Sequence, residues 1–169
     1  LIESNDYDGD YNLLINAATT IVNYAKSKSI DIVFEVLNRY ESFQIRTGKE
    51  ALDLIEIINQ DNLKVLLDTY HMNIEESNPS ETIVEVGDKL AVYHVADSNR
   101  LGLGSGSIDF EKQFKALRNI GFSGPIIIEL TASGPNPFTA VKSGNYIEEL
   151  KNEYEKSIKY LRKGNIWKM

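Results

Sequence analysis

Four side chains with the chemistry of metal ligands or proton carriers recur along the chain: Glu35, Asp68, His94 and Glu129. By subtraction they lie 33, 26 and 35 residues apart, about one strand plus one crossover helix each. Each stands in or just past an apolar run: Glu35 within DIVFEVL, Asp68 after LKVLL, His94 after LAVY, Glu129 after PIII. Short runs of branched apolar residues read as strands buried on both faces of a parallel sheet. The carboxyl ends of such strands are where α/β proteins gather their chemistry, so on a curved sheet the four side chains converge on one face. Three carboxylates and an imidazole make an oxygen-rich donor set, suited to Mn²⁺, Mg²⁺ or Co²⁺ and less well to Zn²⁺. Without a cation, grouped carboxylates repel one another and resist ionisation. Taken singly, each residue also has a plainer role. An acid at a strand end caps a helix or anchors a loop, and a lone histidine is a satisfied core residue.

The elements that must position these residues alternate. A helix is expected from Tyr11 to about Lys28, capped by Asp10, with Leu13, Leu14, Ala17, Ala18, Ile21, Val22 and Ala25 on one stripe. A strand over residues 31–37 follows. Thr47-Gly-Lys-Glu50 is a capping-box pattern that opens a helix over 48–60. After the strand beginning at Leu63, Asn78-Pro79-Ser80-Glu81 supplies a cap, a first-turn proline and an acid for a helix ending at Gly87. Leu90–Ala96 is the third strand and Pro125–Leu130 the fourth, with a helix from Phe110 to Asn119 between them, stopped by Gly121. The loop over 131–144 precedes a last helix from Tyr146 to Lys163, capped by Asn145 and Glu148. The order α-(βα)₄ requires a parallel sheet with right-handed crossovers, within one domain over residues 1–169.

Bulk properties narrow the function. With 42% hydrophobic and 25% charged residues the chain has the composition of a soluble globular protein. A net charge of -7 disfavours a phosphate-backbone partner. The absence of cysteine excludes disulfides and thiolate metal sites and fits a cytoplasmic location. No apolar stretch approaches a bilayer span, and no membrane partner is expected.

The segments FEVLNRYE (34–41), LLDTYHMNIEE (66–76), HVADSNR (94–100) with the following GxGxIDF (104–110), and GPIIIEL (124–130) resemble the ketose 3-epimerases of the tagatose/psicose type. These belong to the xylose isomerase-like sugar isomerase and epimerase superfamily. The resemblance implies a (β/α)₈ TIM barrel with one divalent metal, Mn²⁺ first and Co²⁺ or Mg²⁺ next, and a small-molecule sugar as substrate. It implies Glu35, Asp68, His94 and Glu129 as metal ligands and Glu35 and Glu129 as the acid/base pair. It also implies Glu41, His71 and Arg100 as the groups that hold substrate oxygens. Plainer roles exist here too: Arg100 could pair with Asp97 or Glu75 at the surface, and Glu41 could be a solvated loop acid. Gly102, Gly104 and Gly106 are read as loop flexibility, since no strand-GxGxxG-helix fingerprint is present.

Four βα units correspond to the C-terminal half of such a barrel. The first and last strands would then be open edges. Three resolutions follow: a fragment that lacks its N-terminal half-barrel, two copies closing one barrel, or an inactive remnant. Self-association is the expectation. Alternative activities on the same superfamily are hydroxypyruvate isomerase and inosose dehydratase. A DNA-repair endonuclease of this barrel type is the weakest, because it needs a histidine-rich zinc cluster and only His71 and His94 are present.

Overall fold

The structure, a computed structural model, describes residues 5–132 and 144–163. In chain order the described residues form α1 (Tyr7–Lys26), β1 (Ile32–Glu35), α2 (Gly48–Ile58), β2 (Leu63–Asp68), α3 (Thr69–Glu75) and α4 (Pro79–Val86). A 3₁₀ turn, β3 (Leu90–Val95), α5 (Phe110–Asn119), β4 (Ile126–Ile128) and α6 (Tyr146–Lys163) complete them. The strands form one parallel sheet in the order β1-β2-β3-β4, as βα alternation demands.

Strand alternation divides the side chains between two layers. Leu63, Val65 and Leu67 of β2, with Tyr93 and Val95 of β3, join the core under the helices. There they meet Leu54 and Ile58 of α2, Ile83 and Val86 of α4, and Phe110, Phe114 and Leu117 of α5. The alternate residues Lys64, Leu66 and Asp68 point to the opposite face. On that face Val33 and Ile127 of the two outer strands are 37% and 44% exposed. Beside the open edges, α1 exposes Leu13, Ile21 and Tyr24, and α6 exposes Ile147, Tyr154 and Ile158. The described residues thus form half of a (β/α)₈ barrel, with the outer strands partly exposed on its inner face.

Local signals explain most boundaries. The Thr47 capping box forms in full, with Thr47 Oγ1 accepting from Glu50 N–H and the Glu50 carboxylate accepting from Thr47 N–H. Four expectations need correction. The first helix starts at Tyr7, because the cap is Asp6, which accepts from Gly9 N–H, and Asp10 lies inside the first turns. Asn78 makes no side-chain cap to α4; its Oδ1 accepts instead from Lys112 Nζ at 3.3 Å. A short helix, α3, follows Asp68 directly, an element missing from the expected order between the second strand and the helix at Pro79. The outer strands are shorter than expected, since β1 ends at Glu35 and β4 spans Ile126–Ile128. The loop after β4 lies mostly outside the described residues.

Candidate functional site

Each strand of the sheet delivers one polar side chain to the same end. Glu35 is the last residue of β1 and Asp68 the last of β2. Asp68 is the register partner of His94 on β3. Glu129 follows β4 and continues the ladder, its N–H donating to Val95 O. Thr69, fully buried, ties the ends of β2 and β3 together: its Oγ1 donates to Ala96 O at 2.6 Å and accepts from Ala96 N–H at 2.9 Å. One ligand-type atom from each of Glu35, Asp68, His94 and Glu129 lies within 4.8 Å of all the others. His94 Nδ1 is the centre, at 3.5 Å from Glu35 Oε1, 3.7 Å from Glu129 Oε2 and 3.9 Å from Asp68 Oδ2.

Asp68 shows how local structure prepares this cluster. Its Oδ1 caps α3, accepting from Tyr70 N–H at 2.6 Å and His71 N–H at 3.2 Å. Its Oδ2 is buried and has no hydrogen-bond partner among the described residues, and the same holds for His94 Nδ1. A buried orphaned acceptor costs on the order of 1–3 kcal/mol unless something satisfies it. Two orphaned atoms facing each other across a gap too long for a hydrogen bond are what a cation between them would satisfy. Ligands about 2.1 Å from one ion stand roughly 3–4 Å apart, close to the separations observed. The donor set fits a divalent cation.

The electrostatics agree. Burial pushes the Asp68 carboxyl up to about 6, opposed by the two capping N–H groups and raised further by Glu129. The carboxylates of Glu129 and then Glu35 pull His94 up to about 9, against its burial, although their oxygens stand beyond good hydrogen-bond range. His94, followed by Arg100, holds Glu129 down to about 2. Three acids this close need positive charge, and a proton on His94 together with Arg100 supplies it when no metal does.

The other expected site residues also assemble here. Arg100 Nη1 donates to Glu41 Oε1 at 3.1 Å and Nη2 to Glu129 Oε2 at 3.3 Å, and its guanidinium lies 4.8 Å from the centre of the Tyr70 ring. Its backbone is left-handed, φ 59°, a conformation that is strained for a residue with a side chain. Arg100 N–H donates to Asp97 O, and Arg100 O accepts from Thr131 N–H. Glu75, the other partner considered for Arg100, binds Arg39 in bidentate fashion. His71, 1% exposed, presents Nδ1 to Asn38 and leaves Nε2 without a partner among the described residues. The glycine loop has a different logic from flexibility. Buried Asp97 accepts from Gly104 N–H and Ile108 N–H, and a Cβ on Gly102 would meet Glu153 O at 2.6 Å, so these glycines permit close approach.

Sequence reasoning overlooked Asn38 and Tyr70. Both lie inside the quoted segments NRYE and DTYH, but neither is a metal-ligand type or an acid/base active near neutral pH that would single it out.

Comparison with known proteins places this geometry. A family model described as the xylose isomerase-like TIM barrel matches residues 2–164. The ketose 3-epimerase of Arthrobacter globiformis is 42% identical over 117 residues, which are 69% of this chain and 40% of that protein. The L-ribulose 3-epimerase of Methylomonas sp. is 40% identical over 70% of this chain and 42% of its own length. A crystal structure of D-psicose 3-epimerase in the presence of D-fructose superposes with a TM-score of 0.83 at 27% identity, over 95% of this chain and 58% of that one. The chain thus spans about two fifths of the length of these curated relatives.

Proposed function

We propose, from the premise that this chain belongs to the xylose isomerase-like TIM barrel family, that it carries the catalytic half of a divalent-metal-dependent sugar epimerase acting at C3 of a free ketose. The observation that carries this reading is the convergence of Glu35, Asp68, His94 and Glu129, one from each strand, within 4.8 Å. Those four side chains hold the cation, Mn²⁺ being the first choice for three carboxylates and one imidazole. When bound, it supplies Lewis-acid stabilisation of negative charge on the substrate's oxygens.

This chain's own residues do the proton work. Epimerisation removes the proton beside the carbonyl and returns one to the opposite face of the same carbon, so two carboxyl groups must flank it. Glu35 and Glu129 come from the two outermost strands and fill those places. One, ionised, accepts the C3 proton as the electron pair moves onto the carbonyl oxygen and leaves an enediolate. The other, in its acid form, donates a proton to the opposite face. Arg100 and the Nε2–H of His71 hold the oxygens on which charge develops. Glu41, tethered by Arg100 and Asn38, accepts from a substrate hydroxyl.

The open edges of β1 and β4 need four more strands, from an N-terminal half-barrel or from a second copy related by a two-fold axis along the barrel. Sedimentation separates these: a stable dimer of this chain supports self-closure, and a monodisperse monomer opposes it. The test of function is proton exchange from deuterated buffer into D-fructose or D-tagatose with Mn²⁺ present. Label at C3, lost in Glu35→Gln, supports the epimerase. Label at C1 makes the protein an aldose–ketose isomerase, and no label makes it a non-catalytic remnant.

A further inference from the structure

Asn38 is 1% exposed, its two donor groups, the backbone N–H and the side-chain amide nitrogen, are committed to His71 and Glu41, and its Oδ1 accepts from the neighbouring Tyr40 N–H. Its backbone N–H donates to His71 Nδ1 at 3.2 Å. Its side-chain amide nitrogen lies 2.7 Å from the same Nδ1 and 3.2 Å from Glu41 Oε1. Its Oδ1 accepts from Tyr40 N–H at 2.9 Å.

These contacts leave one assignment. A backbone N–H can only donate, so His71 Nδ1 is an acceptor and carries no proton. Turning the Asn38 amide over would set Oδ1 against the Glu41 carboxylate and NH₂ against Tyr40 N–H, two repulsive contacts in place of two hydrogen bonds. The amide therefore donates to both Nδ1 and Glu41. A neutral imidazole whose Nδ1 accepts must carry its proton on Nε2, and Nε2 is the buried atom with no partner among the described residues. The charged groups that act on His71 are Glu41, Arg100, Glu35 and Glu129, which belong to the site already described. Burial lowers the affinity of the ring for a second proton.

We infer that Asn38 is a positioning residue: it locks His71 in the Nε2–H tautomer, so that the ring presents a donor to a substrate oxygen, and with the same amide it holds Glu41 as the acceptor beside it. One buried residue, through its backbone N–H and its side-chain amide together, thereby sets the donor and acceptor polarity of the substrate pocket. The inference rests on the reading of the site as a sugar pocket for its purpose, but not for its geometry.

The chain has only two histidines, so the ring nitrogens can be followed directly. The experiment is two-bond ¹H–¹⁵N correlation of the labelled imidazoles, metal-free and with diamagnetic Mg²⁺, with His71→Gln to assign the signals. Wild type is expected to show His71 with bare Nδ1 and protonated Nε2. A protonated Nδ1, or an even mixture, overturns the inference. In Asn38→Asp a carboxylate facing Nδ1 competes with the backbone donor for it, so the Nδ1–H form should become populated and kcat/KM fall about 10- to 100-fold, the size of one hydrogen bond to a charged group. In Asn38→Leu the backbone donor remains, so the tautomer should persist, KM should rise through the loosened Glu41, and kcat should fall less than in Asn38→Asp. Equal loss in both variants with an unchanged tautomer overturns the positioning role. If Asn38→Asp does not fold, the wild-type spectrum still decides. A wild-type spectrum as expected with no exchange at C3 refutes the epimerase reading and leaves the tautomer lock standing.

Discussion

Asp68→Asn should change stability in opposite directions with and without metal. Asparagine keeps the oxygen that caps α3 through Tyr70 and His71 N–H but removes the charge on the buried, unpartnered Oδ2. Asp68 is 1% exposed and its carboxyl is raised from 3.8 to about 6. Each tenfold change in a protonation constant is worth about 1.4 kcal/mol, so the ionised carboxylate costs the folded protein on the order of 3 kcal/mol at pH 8. For an acid raised in this way the cost is absent below 3.8, grows through the interval, and is complete above about 6. That shift is already net of the attraction to His94, so metal-free Asp68→Asn should be more stable than wild type by about 1–3 kcal/mol at pH 8. At about 3 °C per kcal/mol for a chain of this size, the melting temperature should rise by several degrees, and the gain should vanish near pH 4. With Mn²⁺ at 100 times its Kd, wild type should gain about 2.7 kcal/mol, whereas the variant, lacking one anionic ligand, should gain nothing measurable. Thermal melts with and without Mn²⁺ at pH 4 and 8 test both halves. A variant that melts below wild type without metal refutes the electrostatic argument, and one that keeps the Mn²⁺-induced rise refutes the ligand assignment.

Three further outcomes follow from the same geometry. Proton and cation compete for His94 and Asp68, raised to about 9 and about 6, so Mn²⁺ affinity by calorimetry should climb with pH, most steeply below 6, and level off near 9. An affinity independent of pH would exclude them as ligands. Gly48→Ala should destabilise by about 1–3 kcal/mol, because its Cβ would sit 2.5 Å from Thr82 Cγ2 and 3.0 Å from Val86 Cγ2; a neutral result in urea unfolding would show that α2 and α4 can part freely. Arg100→Lys keeps the charge but not the two-pronged contact with Glu41 and Glu129, so kcat/KM should fall by about 10-fold or more; unchanged kinetics would remove Arg100 from the pocket.

The inner face of the sheet connects these results. The acids lie where strands end, the charge that holds them together is supplied locally, and the apolar edge residues Val33 and Ile127 remain uncovered. Whatever covered the edges would also exclude water from the cluster and strengthen every charge interaction within it.

The sequence by itself determined the alternation of strands and helices, the capping box at Thr47 and the placement of Glu35, Asp68, His94 and Glu129 at strand ends. These follow from local periodicity and from short-range hydrogen bonds between residues near in sequence. The family resemblance carried Glu41, His71 and Arg100 to positions that do meet in the fold. Only the tertiary structure decided that Asp68 divides its two oxygens between a helix cap and the cluster, that Arg100 reaches Glu41 and Glu129 while Glu75 is taken by Arg39, and that Asn38 fixes the orientation of His71. Asn38 and His71 are 33 residues apart in sequence, and nothing in a one-dimensional pattern records which nitrogen faces which. The physical reason is that pairing between neighbouring strands sets register, and register, not composition, brings distant polar atoms to within hydrogen-bond distance.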